Sequence, residues 1–307
     1  MHADTDAGPI GSITHRDRNP ADAATTPGPI AEGLHLLGGS VAIDERISWY
    51  PAAEAGRHLP FNSYLLADAG SLLLLEAGVP AVFPALAAQL DGIARAGQGP
   101  TRLAVTRNEP DCVANIPGLV RLTGLRTVHS PGLLNTLQFF SDDTAALREG
   151  SFLDTATELQ MLDFGVTCAR VAPGDTVPVS ERRGLEVIQA PLRVLPTVWY
   201  YDRLSRTLFC SDSFSDETAA APDQRLLADV APHDVLVARC LENFALKFDW
   251  LARSRLAPII GQVEAIFARH DIETLAPSRG LVIRGAAAVR AKQSAMLAAL
   301  RQLESRH

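Results

Sequence analysis

The sequence predicts a four-layer α/β sandwich: two mixed β-sheets packed face to face, with helices on both outer surfaces. Three observations lead there. Strand-like and helix-like stretches alternate from Ile30 onward with no low-complexity linker and no repeat of about 20–50 residues, so residues 30–307 are expected to form one domain. Strand signals fall into two groups, one ending near Ser130 and one between Glu158 and Ser213, and each group supplies a sheet. Helical patterns accompany both groups and dominate after Ser213.

In chain order, residues 61–68 (FNSYLLAD) and 71–78 (SLLLLEAG) are short apolar runs joined by Ala69-Gly70, the pattern of a hairpin whose second strand is buried on both faces. Residues 80–97 open with proline, carry apolar residues at helical spacing and stop at a glycine, which makes a covering helix. Residues 102–107 (RLAVTR) form another buried strand, and 124–130 (GLRTVHS) a further one after a short helix. In the second group, 159–171, 185–191, 197–202 and 206–212 are rich in Val, Leu, Thr, Phe and Tyr, with Pro-Gly-Asp, Arg-Arg-Gly and Asp-Arg turns between them. Residues 241–254, 257–270 and 285–307 are helical, broken by one strand-like stretch at 272–280.

Composition excludes several partners. The chain has 307 residues, 47% of them apolar, enough for a substantial core. A net charge of −7 without a lysine or arginine stripe gives no footprint for nucleic acid or for an anionic membrane surface. No stretch reaches the roughly 18–20 apolar residues of a spanning helix. Residues 1–29 mix Asp, Thr, Pro and Gly without the apolar stretch of a secretory signal, and are expected to be a disordered tail. Cys112, Cys168, Cys210 and Cys240 show no paired spacing, so a reduced, cytoplasmic protein is expected.

The informative stretch is 102–118, RLAVTRNEPDCVANIPG, a buried strand running into a loop with the acidic pattern Glu109-x-Asp111 and then a helix. Three further stretches accompany it: APLRVLPTVWYYD with Val194, TLFCSDSF with Asp212, and DIETLAPSRG with Arg279. Together with LHLLGG…FNSYLLAD at 34–68 and LLLLEAG, where Glu76 stands for a usual aspartate, they resemble the metallo-β-lactamase superfamily, and within it the flavodiiron or oxygen-binding diiron branch. The resemblance runs from about Gly33 to Gly285. In that branch the ligand loop reads His-x-Glu-x-Asp-His, followed later by His-Trp-Pro, a bridging Asp in Leu-Phe-Ser-x-Asp-x-Phe, and Pro-Ser-His-Gly. Here the resemblance implies that Arg107, Cys112, Val194 and Arg279 replace the histidine ligands, while Glu109, Asp111 and Asp212 are retained. The branch's terminal flavodoxin domain is expected to be missing, since the chain ends soon after this point.

A guanidinium stays protonated and has no lone pair to give a metal, so a dinuclear iron centre is not expected here. Three carboxylates gathered without a cation would be forced to protonate. Arg107 and Arg279 supply two positive charges with planar forks suited to carboxylates, and an internal arginine–carboxylate cluster is expected in place of the metals. Read without the resemblance, the three acids are ordinary helix-capping and turn residues. The expected function is a metal-free, degenerate relative, a pseudoenzyme, whose pocket at Arg107, Cys112, Val194, Asp212, Arg279 and His58 binds a small molecule or a partner protein. The alternative is an oxidoreductase or hydrolase that uses Glu109 or Asp111 as general base with no metal, or with one iron or other divalent ion held by Glu109, Asp111, Asp212 and Cys112. His129 is a further acid–base candidate, Ser48–Pro51 and Val198–Tyr201 place aromatic rings at the pocket wall or in the core, and a homodimer is the assembly considered.

Overall fold

The computed structural model describes residues 29–44, 50–94, 99–132, 136, 158–161 and 165–305. Residues 1–28 of the expected tail, and Ser48 and Trp49, lie outside the described residues.

One sheet holds β1 (Pro29–Ala31), β2 (Leu34–Ala42), β3 (His58–Asp68), β4 (Ser71–Leu75), β5 (Arg102–Ala104), β6 (Thr127–Pro131), β7 (Glu158–Met161) and β8 (Val166–Val171), in the order β1-β2-β3-β4-β5-β6-β8-β7. The other holds β9 (Thr176–Pro178), β10 (Gly184–Gln189), β11 (Val198–Asp202), β12 (Thr207–Phe209), β13 (Thr274–Ala276) and β14 (Ile283–Arg284), in the order β14-β13-β12-β11-β10-β9. Helices α1 (Phe83–Ala94), α2 (Pro110–Val113) and α3 (Ile116–Thr123) accompany the first sheet, and α4 (His233–Lys247), α5 (Ala257–Arg269) and α6 (Ala286–Glu304) the second. No helix among the described residues is long and apolar enough to cross a membrane.

Side-chain alternation explains the layering. Leu73 and Leu75 of β4 face the second sheet, where they meet Tyr200 and Phe209, while Leu74 faces the helices with Leu86 and Leu119. In β11, Val198 and Tyr200 point between the sheets, and Trp199 and Tyr201 point toward α4, α5 and α6. Both strands are therefore apolar on both faces. The β3–β4 hairpin closes through Ala69 and Gly70 with both residues at positive φ, as a tight two-residue hairpin turn requires.

The grouping of strands differs from expectation at one place. The strands β7 and β8, from the stretch expected at 159–171, belong to the first sheet, not the second: β8 pairs in parallel with β6, and β7 runs antiparallel to β8. Which sheet a strand joins depends on which edge is open to it, and a local apolar pattern carries no record of that. The helix expected from 241 begins at His233, and after Lys247 the chain turns through a short 3-10 segment, Asp249–Arg253.

The two sheets are pinned together by polar groups near their carboxyl ends. Asn62 Nδ2 donates to Pro277 O at 2.9 Å and to Gly280 O at 2.8 Å, and Tyr64 OH donates to Pro277 O at 2.6 Å. Asn62 Oδ1 in turn accepts from Arg225 Nη2 at 2.7 Å. The Asn-x-Tyr pair of β3 thus holds the loop after β13. Gly280, at φ +90°, lets that loop pass Ser215 and Glu217 closely; a Cβ there would lie 3.0 Å from Glu217 O. Asn62→Ala leaves a buried carbonyl and a buried guanidinium short of a partner and is expected to lower the unfolding free energy by about 2–3 kcal/mol. Urea denaturation checks this, and a change within about 0.5 kcal/mol would show that the loop is held by other means.

Candidate functional site

Most side chains of the site sit beyond the carboxyl end of a strand. Glu76 follows β4, Thr106 and Arg107 follow β5, Val194 lies between β10 and β11, Ser211 and Asp212 follow β12, and Ser278 and Arg279 follow β13. The loop after β5 is held from both sides: Val105 N donates to His129 O at 2.9 Å and Val198 N to Thr106 O at 3.0 Å. Glu109 is extended at φ −118°, ψ 155°, and Pro110 at the first helical position starts α2. That start brings Asp111 round to face Arg107. Glu109 occupies the N-cap position, but its side chain makes no capping hydrogen bond.

The Glu109 carboxylate turns instead to Arg107. Arg107 is 2% exposed, and its three nitrogens are all engaged: Nε donates to Glu109 Oε2 at 2.7 Å, Nη2 to Asp111 Oδ2, and Nη1 to Ser211 Oγ and, at 3.2 Å, to Ser278 Oγ. Nη1 also lies 3.7 Å from Asp212 Oδ1. Arg279 stands on the other side, with Nη2 donating to Asp212 Oδ2 at 3.1 Å and Nε 3.7 Å from Asp111 Oδ2. Two guanidinium groups and three carboxylates therefore alternate in one cluster. Burial pushes the Asp212 carboxyl up, yet Arg107, Arg279 and Lys247 outweigh it and hold the group at about 2. Burial likewise opposes the charge on Arg107, but its negative neighbours hold the guanidinium protonated.

A second chain of polar groups runs inward. Ser211 Oγ is 3.0 Å from Thr106 Oγ1, whose hydroxyl donates to Glu76 Oε1. Glu76 and Ser211 are both non-glycine residues at positive φ, +63° and +57°, so each strand end is bent to aim its side chain at this line. Burial raises the Glu76 carboxyl to about 7, against the Thr106 hydrogen bond and the Arg107 charge that lower it.

A cavity of about 160 Å³ opens beside the cluster. Arg107, Glu109, Asp212 and Arg279 line it, with Lys247 from the end of α4 and Arg193 from the loop after β10. Val194 is on its rim, with 67% of its surface exposed. Asp111 and Cys112 lie behind Arg107 and are not among the lining residues; Cys112 is fully buried, 3.6 Å from Asp111 Oδ1, and burial raises its thiol far above the ordinary range. Cys210 is also fully buried with its thiol raised. His58 is not among the residues that line the cavity; it begins β3, where its backbone pairs with Ala219. His129 in β6 is likewise apart, held at about 4 by burial and by Arg102. Among the described residues no group of three or more His, Cys, Asp or Glu side chains is arranged to hold a metal ion.

Thr106, Ser211, Ser278, Arg193 and Lys247 were not legible as site residues. Ser211 and Ser278 adjoin Asp212 and Arg279 in their stretches, a usable signal; Lys247 is a helix-terminal lysine with no motif around it.

Two substitutions test this electrostatic arrangement. Arg107→Met leaves Asp111 and Asp212 facing each other with only Arg279 between them and is expected to destabilise the fold at pH 7 by about 3–5 kcal/mol, measured by chemical denaturation. Glu76, whose folded pKa lies above its ordinary 4.5, binds its proton more tightly in the native state, so its contribution is fully present below about 4.5 and is lost as pH rises through about 7. Glu76→Gln is therefore expected to be more stable than the parent at pH 8, by on the order of 2–3 kcal/mol, with the difference vanishing near pH 4.5. Equal gains at both pH values would show that the carboxyl titrates normally.

No family model and no curated protein matches this sequence. Solved structures do. Rubredoxin oxygen:oxidoreductase from Desulfovibrio gigas is similar at a TM-score of 0.64 and 19% identity, over 90% of this chain and 61% of that one. The flavodiiron protein from Giardia intestinalis is similar at 0.59 and 15%, over 90% and 58%. A fragment of a putative diflavin flavoprotein from Nostoc sp. PCC 7120 is similar at 0.59 and 15%, over 91% of this chain and 96% of the fragment. The chain thus spans about three-fifths of the length of the two longer proteins. Over nine-tenths of its length it has the metallo-β-lactamase-like α/β fold of the flavodiiron core.

Proposed function

We propose that this chain is a metal-free relative of the flavodiiron proteins whose cavity binds a small molecule. One observation carries the reading: each carboxylate that the resemblance assigns to metal binding is already engaged by a guanidinium. Glu109 Oε2 takes Arg107 Nε at 2.7 Å, Asp111 takes Arg107 Nη2, and Asp212 takes Arg279 Nη2 at 3.1 Å. The donor set does not fit a diiron pair. A guanidinium has no lone pair to offer, and placing a divalent ion among Arg107 and Arg279 would set like charges against each other. No step is therefore routed through a metal.

Glu109 and Asp111 are poor candidates for a general base on the same geometry. Asp111 is buried behind Arg107 and is not among the lining residues, and the Glu109 oxygen nearest the cluster accepts from Arg107. Binding rather than turnover is the favoured role. The cavity admits a small molecule: about 160 Å³ is roughly ten times the ~10–15 Å³ that holds one water. The four cysteines, all buried free thiols, suit a reducing cytoplasm.

Elemental analysis tests the metal-free reading. Protein purified without chelator is expected to carry less than about a tenth of an equivalent of iron, zinc or manganese, and about one equivalent or more would overturn the proposal. The combined variant Arg107→His, Cys112→His, Val194→His and Arg279→His is expected to take up metal, read by the same analysis. Failure to do so would remove descent from a metal site while leaving the cavity reading in place.

A further inference from the structure

Resting on the small-molecule reading above, we infer that the ligand of this cavity is a small oxyanion, a carboxylate or phosphate, taken by Lys247, Arg279 and Arg193. Four basic side chains line the cavity, Arg107, Arg193, Lys247 and Arg279, against two acidic ones, Glu109 and Asp212. Adding Asp111, which stands behind Arg107, still leaves cations in excess.

The excess is not spread evenly. Arg107 is saturated: Nε and Nη2 are bonded to carboxylates and Nη1 to two serine hydroxyls. Arg279 gives Nη2 to Asp212, while its buried Nε has no hydrogen-bond partner. Lys247 donates to Ser215 Oγ at 2.6 Å, and Ser215 donates onward to Asp212 O at 2.6 Å; among the described residues no carboxylate lies within ion-pair distance of Lys247. Arg193 donates to Ala190 O at 2.6 Å and has no carboxylate partner among the described residues either. So on the side of the cavity facing α4 and the loop after β10, Lys247 and Arg193 have no carboxylate in ion-pair contact among the described residues, Asp212 and Asp216 acting on Lys247 only from farther off, while the opposite side is internally neutralised.

Physical cost makes this asymmetry informative. A half-buried lysine beside an arginine is unfavourable: burial first, and then the charge of Arg279, push Lys247 down to about 7, against the weaker pull of Asp212 and Asp216. Structural cations in protein interiors are normally paired, as Lys292 is with Asp216 and Glu217. Lys247 becomes paired when an anion enters the cavity, where a point charge from lysine and planar forks from the arginines match carboxylate or phosphate oxygens. The volume suits a molecule of phosphate or oxalate size.

Isothermal titration calorimetry with oxalate, inorganic phosphate and oxamide, the uncharged isostere of oxalate, tests the inference. At least one of the two anions is expected to bind saturably with Kd below about 1 mM, weakening with added salt, and the stronger of them distinguishes carboxylate from phosphate recognition. Oxamide is expected not to bind. Lys247→Gln should weaken the anion by about tenfold and Arg193→Gln by a few-fold, with circular dichroism unchanged in both. Absence of saturable binding of either anion below about 10 mM overturns the inference, as does unchanged affinity in both variants. Oxamide binding as tightly as oxalate overturns it too, yet leaves a small-molecule cavity standing. The metal content of the purified protein is an independent readout, so failure of the metal-free reading is recognised separately.

Discussion

A buried guanidinium at the meeting point of two sheets organises this molecule. Arg107 projects from the first sheet and gathers Glu109 and Asp111 from its own loop, Ser211 and Asp212 from the end of β12, and Ser278 from the end of β13. Arg279 closes the circuit from the far side. Paired ions taken out of water stabilise a fold little on balance, because desolvation offsets most of their attraction. Their value is geometric: the loss of one partner leaves buried charge exposed to its neighbours, so only one arrangement of the strand ends satisfies all five groups. The cluster therefore specifies how the two sheets meet more than it strengthens their contact.

The apolar layers and the polar cluster do different work. Leu73, Leu75, Tyr200 and Phe209 fill the space between the sheets and provide the non-directional part of the stability. Direction comes from Asn62 and Tyr64, which reach across to the loop carrying Arg279, with Arg225 donating to the Asn62 amide oxygen. Arg279 is thus placed by the backbone of its loop, and the backbone of the loop is placed by side chains of β3. The cavity inherits its shape from that chain of support.

Two carboxylates of the same neighbourhood are driven in opposite directions. Asp212, between Arg107 and Arg279, is held at about 2, whereas Glu76, bonded to Thr106 and shut away from solvent, is raised to about 7. The contrast follows from distance to a cation and not from residue type. It also separates roles: Asp212 is a fixed anion at the cavity wall, and Glu76 is an interior acid that ends a hydrogen-bonded line. Lys247 completes the picture as a basic group at the cavity with no carboxylate in ion-pair contact among the described residues.

The layered α/β architecture was legible because strands and helices announce themselves by local periodicity, as the hairpin at Ala69-Gly70 and the doubly apolar β4 illustrate. The cluster was legible because its acids and arginines fall in short stretches with recognisable spacing, 107–112, 212 and 279. Local sequence could not assign β7 and β8 to the first sheet, since that depends on which edge lies open. Nor could it place His58 outside the cavity, or bring in Lys247 and Arg193 from elements distant in the chain. Residue types set which charges the protein must reconcile; only the packing of two sheets, a matter of long-range contacts, decided which charges meet and which one is left facing open space.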